Sequence, residues 1–499
     1  MHGIDATPAP QDLDPNSSRP WYSLLNRYHW FVLGVAALGW LFDCLDQQLF
    51  VLARPAAMEG LLPTASQADR VWWGDISTSV FIAGWATGGL FFGMLGDRIG
   101  RAKTMIITIL AYSLCTGLSA ASRTVYDFAF YRFLTGLGVG GEFAVGVALV
   151  AEVMPGRARP YALGLLQALS AIGNISAAMI NLGLGLADGE GLPIAPWRIM
   201  FLIGAFPALL ALVIRARLRE PEAWQRASHD GLVQKQLGSY RELFSHPVWR
   251  RHALLGLVLA CSGVIGLWAI GFYSPDLARR VQQPVAIEKV YAAQISAAEA
   301  ANDTPRVEQL ARIRDDVLQQ RDSAASDADV RDSTDRLVRG ELTKYQSAMA
   351  VCINIGAFLG MFCFGPVSQR IGRKPTFVIA LLGAFFSTAA LFWHLEEMWQ
   401  IFVLGPIMGF FQLALFGGYA IYFPELFPTR LRSTGTSFCY NVGRFLAAFG
   451  PLIKSQLNVY FSDTSEPMRY AGVTMCVVFL VGLVVLPFLP ETRNQPLPE

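Results

Sequence analysis

The chain has 499 residues, 53% of them hydrophobic and only 16% charged. A transmembrane helix uses about 20 largely apolar residues, so roughly 264 apolar positions suit about twelve such helices and are too many for a water-soluble fold. The net charge of +2, from 40 Lys and Arg against 38 Asp and Glu, offers no broad field for nucleic acid.

Residues 1–28 are polar. The first apolar run, 29–53, is too long for a signal-peptide core and has no small-residue cleavage signature behind it, so it reads as a retained helix. Apolar spans follow near 72–95, 103–121, 126–150, 160–186 and 197–216, then a mixed-charge linker at 217–250. A second set lies near 252–274, 346–368, 376–394, 398–422, 433–456 and 470–489, with a short tail at 490–499. The expectation is an all-α membrane protein of twelve transmembrane helices in two six-helix halves, 29–216 and 251–489. Residues 276–345 are an insertion on the outer side between the seventh and eighth spans. Thr304 and Pro305 stand there as N-cap and first helical residue before Val307, Leu310, Val317 and Leu318. The insertion reads either as a solvated helical spacer or as an outer cap or partner-docking element.

Arginines and lysines concentrate in alternate loops, among them Arg98, Arg101, Lys103, Arg157, Arg370, Arg373 and Arg430, and are sparse in the others. By the positive-inside bias both termini are assigned to the cytoplasm, with the chain in the cell (inner or plasma) membrane. The halves also repeat. GMLGDRIGRAKT from Gly93 resembles GPVSQRIGRKPT from Gly365, an offset of 272, and EVMPGRAR from Glu152 resembles ELFPTRLR from Glu425, an offset of 273. Two parallel halves of this kind are the architecture of secondary transporters with a site at the midplane between them.

The repeated turns suggest a cytoplasmic gate of Asp97, Arg98, Arg101, Glu152, Arg157, Arg370, Arg373, Glu425 and Arg430. Simple anchoring in the headgroup zone explains the arginines, but not the duplicated spacing. Asp97 is placed to accept hydrogen bonds from a helix N-terminus of the other half, and Glu152 and Glu425 to pair with the arginines that follow each of them. Gln369 stands where the second copy lacks the acid, which predicts a lopsided latch. Gly136, Gly138 and Gly141 satisfy a dinucleotide fingerprint but lie inside an apolar helix, so close helix packing is the better reading. The seven cysteines fall in apolar stretches without CxxC spacing, and no hydrolase, zinc-protease or nucleotide motif is present. No enzyme activity, cofactor or metal is predicted.

GDRIGR with its degenerate second copy, RFLTGLGVGGE in the fourth span and the PGRAR and PTRLR turns resemble the major facilitator superfamily. REPEAW (Arg219 to Trp224) and LPETR (Leu489 to Arg493) resemble its sugar porters. The seventh span, CSGVIGLWAIGFYSPDL, lacks their usual Gln-rich signature, and Asp43-Cys-Leu-Asp46 looks more like the metabolite:proton symporters of the aromatic-acid, sialate and nicotinate type. Cys44 replaces the glycine those relatives commonly carry. That resemblance implies import of a small, often carboxylated solute with protons, and an acid in helix one coupled to an Arg in helix four.

Charges inside a bilayer cost roughly 2.5 to 3.5 kcal/mol each even on a lenient scale. Asp43, Asp46, Arg132 and Glu142 are the proton-coupling candidates. Asp46 and Arg132 both lie roughly 10 Å below the outer surface at 1.5 Å per residue. Arg444, about 18 Å into the eleventh span, is placed for a carboxylate, or else for pairing with Asp43 or Glu142. Gln167, Trp268, Asn174, Asn354, Gln412, Tyr419, Tyr422 and Asn441 complete the candidate cavity, Gln167 by its resemblance to a substrate-contacting Gln of sugar porters. The reading is an alternating-access symporter of a small organic anion, a monomer in the lipid bilayer whose partners are the solute and the proton. Its alternatives are a sugar or polyol porter and a transport-inactive nutrient receptor.

Overall fold

The computed structural model describes residues 20–188, 192–209, 214, 218, 220, 224–225, 239–319, 328–464, 466–495 and 497–498. Most of the 217–250 linker and the N-terminal segment therefore lie outside the described residues. The first half comprises α1 (Arg27–Leu61), α2 (Gln67–Ile99), α3 (Arg101–Ser119), α4 (Val125–Val153), α5 (Arg159–Asp188) and α6 (Pro196–Ile203). The second comprises α7 (Tyr240–Ser245), α8 (Pro247–Ile265), a π turn (Gly266–Ile270), a 3-10 turn (Gly271–Tyr273), α9 (Ser274–Val281), α10 (Gln283–Ala300), α11 (Thr304–Leu318) and α12 (Ala328–Ile371). It ends with α13 (Arg373–His394), α14 (Met398–Glu425), α15 (Arg432–Ala447), α16 (Gly450–Tyr460), α17 (Pro467–Met475) and α18 (Val478–Val485).

Ten of the described helical segments are long and apolar enough to cross a membrane. The sixth expected span is described as helix over Pro196–Ile203, with turns at 204–207 and helical residues again at 208, 209 and 214. The eleventh is a polar helix, RSTGTSFCYNVGRFLA, that stops at Ala448 and restarts as α16, so it does not run unbroken from 433 to 456. Its polar residues face other helices: Thr434, Ser437, Asn441 and Arg444 are all buried.

Both ends of the described chain lie on one face. Trp21 stacks on Tyr161 near the start of α5, ring centroids 5.7 Å apart, and the Pro498 carbonyl accepts from Arg432 at the start of α15. This is the inner face below. Within the first half the glycines of GLGVGG let α4 approach its neighbours: a Cβ on Gly136 or Gly140 would overlap carbonyl oxygens of α2, and one on Gly138 the backbone of α3. The halves meet along two seams, α5 against α12 and α2 against α15.

The insertion is more than a solvated spacer. Ile287, Tyr291, Leu310, Ile313, Val338 and Leu342, from α10, α11 and the outer end of α12, form an apolar core separate from that of the membrane helices. Asp303, one residue earlier than expected, caps α11 by accepting from the Arg306 N–H at 3.1 Å. The last part of the insertion is continuous with the eighth span, because α12 runs unbroken for 44 residues. A cap with its own core should be separable. Replacing residues 283–340 with a short Gly/Ser linker is expected to leave a monodisperse carrier in detergent; aggregation of the deletion on a sizing column would show that the cap holds the halves together.

Candidate functional site

Between the seams lies a cavity of about 70 Å³. At about 15 Å³ per water this holds about five waters, so a solute requires the halves to part. Arg444 lies in its wall with Gln167, Asn174, Trp268 and Asn354, all five expected from sequence. The Arg444 guanidinium is sandwiched over the Trp85 and Tyr440 rings at 4.1 and 4.2 Å and donates to Asn441 Oδ1 at 2.6 Å. No described carboxylate lies within 4.0 Å of it, and its Nε has no hydrogen-bond partner. It therefore does not pair with Asp43 or Glu142. Asn441 positions Arg444 rather than lining the wall. Gln412 and Tyr419 point instead into the second half, where Gln412 donates to Thr388 at 2.8 Å and Tyr419 to the Leu259 carbonyl at 2.8 Å. Tyr422 donates to the Pro490 carbonyl on the inner face.

Sequence reading missed Trp40, Gln47, Gln48, Trp85 and Tyr440 in the wall. The pair Gln47-Gln48 was a signal, because two amides in mid-span are costly unless they face a cavity or another helix. The periodicity of α1 separates two roles. Cys44, Gln47, Gln48 and Val51 face the cavity, while Asp43, Asp46 and Phe50 form a neighbouring stripe, roughly 120° round the helix, that does not line it.

On that stripe Asp46 accepts from Thr116 at 2.6 Å and faces Arg132 at 3.7 Å, both side chains fully buried. Arg132 also donates to Ser119 at 2.7 Å and Thr135 at 3.0 Å, with the Phe201 ring 4.7 Å away. Nearby, Glu142 accepts from Thr108 at 3.0 Å and lies against α1 at Gly39. One turn along, Asp43 is buried with neither oxygen hydrogen-bonded. Three carboxyl groups and one guanidinium, all buried, thus sit close together in the first half.

The inner face carries the repeated turns. Asp97 accepts from the Thr434 N–H at 2.9 Å and its hydroxyl at 2.6 Å, in the first turn of α15, while its other oxygen pairs with Arg101 at 2.9 Å. The acids at the ends of α4 and α14 do not pair with the arginines that follow them. Glu152 pairs with Arg101 at 2.9 Å and reaches Arg432 of the other half at 3.7 Å; Glu425 pairs with Arg373 at 3.0 Å. The reason is geometric: each acid ends a helix packed beside the one that the glycine turn begins. Arg430 pairs with Glu242 of α7 at 2.8 Å, and Arg157 is engaged elsewhere. Arg98 and Arg370 are exposed, as headgroup anchors would be. Gln369 makes no such bond to the first half, so among the described residues the cross-half latch rests on Asp97 and Glu152.

A third repeat pair emerges only in three dimensions. Glu220 accepts from the N–H groups of Arg101, Ala102 and Lys103 at the start of α3, and Glu491 from those of Arg373 and Lys374 at the start of α13. Burial pushes the Glu491 carboxyl up, but these N–H groups, that of Arg493 and the Arg373 charge hold it below the usual range. Its contribution is present above the ordinary carboxylate range and lost as pH falls through the lowered value. Both caps require glycine, because Gly100 and Gly372 adopt φ of +112° and +102°. Gly100→Ala puts a side chain on an extended, positive-φ backbone (φ +112°, ψ 152°) that is essentially glycine-only, a strain of about 1–3 kcal/mol, and drives a methyl into the Glu220 carboxylate. A fall in the thermal midpoint of the purified chain is the expected result, and an unchanged midpoint would show that the cap contributes nothing.

The Major Facilitator Superfamily model matches residues 36–297 and 342–499, omitting only part of the cap between them. The chain is 26% identical to a putative metabolite transport protein of Haemophilus influenzae, over 95% of this chain and 99% of that one. It is 27% identical to the probable 4-methylmuconolactone transporter of Cupriavidus pinatubonensis, over 91% and 89%, and 26% identical to the niacin transporter NiaP of Acinetobacter baylyi, over 95% and 96%. The proton:xylose symporter XylE superposes with a TM-score of 0.66 at 16% identity, over 94% of this chain and 98% of that one, which is a likeness of fold. Family match, paired halves and a cavity between them agree: the chain belongs to the major facilitator superfamily, as a multi-pass membrane transporter of twelve helices in two halves.

Proposed function

We propose that the protein is a proton-coupled importer of a small organic anion, with the inner face in the cytoplasm. The observation that carries this is Arg444: a buried guanidinium in the cavity wall, stacked on aromatic rings, with no described carboxylate as partner. Leaving such a charge buried without a counter-charge is costly, and a solute carboxylate removes the cost by bidentate hydrogen bonding. The aromatic wall of Trp40, Trp85 and Trp268 suits a flat or apolar body, and relatives named for niacin and 4-methylmuconolactone, both small carboxylic acids, support the class.

Asp46 and Arg132 are the proposed coupling pair. A proton on Asp46 releases Arg132, loosening α1 from α3 and α4 so that its cavity face moves. Asp43 and Glu142 add two carboxyl groups without a second cation, so protons supply the positive charge that keeps the cluster together. Asp97, Arg101, Glu152 and Arg432 are proposed to hold the cytoplasmic side closed, and Arg373 with Glu425 to brace the second half.

The test is uptake into proteoliposomes of nicotinate, benzoate and cis,cis-muconate beside xylose and glucose, with and without an inward proton gradient. Accumulation of a carboxylate only with the gradient is expected. Uptake of a sugar and of no acid would move the assignment to a sugar porter, whose solute would rest on Gln47, Gln48 and Gln167.

A further inference from the structure

Above the central cavity, on the outer side, lies a second cavity of about 140 Å³. Its floor is α1, α5 and α6 of the first half; its roof is α9 and the cap end of α12. Three guanidinium groups border it, Arg279, Arg336 and Arg339, against one carboxylate, Glu59. Arg336 shares Asp332 at 2.8 Å, but both side chains are about 60% exposed (63% and 59%), where an ion pair is weak and easily exchanged. Arg279 and Arg339 have no described carboxylate within 4.0 Å. The lining itself thus carries more positive than negative charge, with Asp332 and Asp335 of α12 beside Arg336 and Arg339 but outside it, in a concave, partly apolar site of the kind that concentrates anions.

Its position supplies the second argument. The α5–α12 seam runs inward from it, crossed by Asn181 to Ser347 at 3.5 Å and Asn174 to Asn354 at 2.8 Å. Asn174 and Asn354 already line the central cavity, where Arg444 lies. From Arg339 to Asn354 along α12 is about 22 Å at 1.5 Å per residue. The bonds between are neutral amide or hydroxyl contacts, a weak barrier to opening. Farther round the outer rim the halves are joined by Arg54 and Asp276, 3.7 Å apart, so that part of the rim is occupied by an ion pair.

The geometry points to an outer capture site in which Arg279, Arg336 and Arg339 bind a carboxylate solute and load it into the central cavity along the α5–α12 seam. The loading role rests on the organic-anion reading above; the charge of the site does not. Cap and membrane helix are one helix here, which explains why the insertion ends in α12: it carries Arg336 and Arg339 over the mouth of the seam.

The test begins with a reporter that needs no transported solute. In the full chain, Thr343→Cys places a thiol in the wall of the outer cavity. Its modification by anionic sulfonatoethyl methanethiosulfonate is compared with that by the cationic trimethylammonium analogue, with labelling of the parent chain subtracted. A roughly tenfold preference for the anion at low salt is expected, lost when Arg279, Arg336 and Arg339 are all changed to Gln and kept when all three are changed to Lys. Equal rates for the two reagents, or a preference that survives the Gln changes, would overturn the site. In proteoliposomes, the Gln chain is then expected to raise the KM for the transported carboxylate several-fold at low salt with its maximal rate retained. An unchanged KM would overturn the loading role. If no carboxylate is transported at all, the organic-anion reading and the loading role fall together, while the reagent preference still decides whether the anion site exists.

Discussion

Asp46→Asn is expected to abolish gradient-driven accumulation, bringing the inside-to-outside ratio to about one, while exchange of preloaded solute continues. The substitution keeps the size of the group and its hydrogen bond to Thr116, but removes the charge facing Arg132 at 3.7 Å and so imitates the proton-loaded state permanently. Because Asp46 does not line the cavity, solute binding should survive within a few-fold. Counterflow and accumulation measured on the same vesicles separate the two effects. Undiminished accumulation in the Asn chain would remove Asp46 from the coupling step, and Asp43→Asn or Glu142→Gln would then be the changes to measure.

Changes at Arg444 should act on affinity. Arg444→Lys keeps a cation but loses the planar fork and its stacking on Trp85 and Tyr440. At about 1.5–3 kcal/mol per charge-assisted hydrogen bond, this weakens carboxylate binding by roughly tenfold or more, and Arg444→Gln weakens it further. For a neutral solute the two variants should behave alike. Apparent affinities of both for the best solute of the uptake panel, at normal folded yield, decide the matter: equal values exclude the anion clamp.

What could be read in the sequence followed from patterns that a single helix imposes. Apolar span lengths marked the helices, and the period near 272 marked the halves, because duplicated turns sit at fixed distances from helix ends. Equal depth put Asp46 opposite Arg132, since depth is rise per residue times position. What escaped depends on rotation and on contacts between distant segments. Gln412 and Tyr419 share the polarity of Gln167, yet their helix turns them toward Thr388 and Leu259. Glu152 looked paired with arginines close in sequence, but helix packing brings it to Arg101. Glu220 and Glu491 as caps of α3 and α13 were invisible, because each cap joins residues well over a hundred positions apart. The break after Ala447 was likewise hard to read, because the expected span already contains Gly435 and Gly443 without breaking there, and only Gly450 and Pro451 follow the break directly.

The unbroken 44-residue α12 measures about 66 Å, roughly twice the hydrocarbon thickness of a bilayer. If the halves rock as rigid bodies, the outer end of this rod works as a pointer: a tilt of about 10° about the midplane sweeps a tip about 40 Å away through roughly 7 Å. Motion of the buried site is thereby magnified at a water-exposed spot. A spin label on Asp332, paired with one on Tyr126 at the outer start of α4, would read the working cycle as a change of distance without touching the cavity, and would show whether solute, proton or both set the rod in motion.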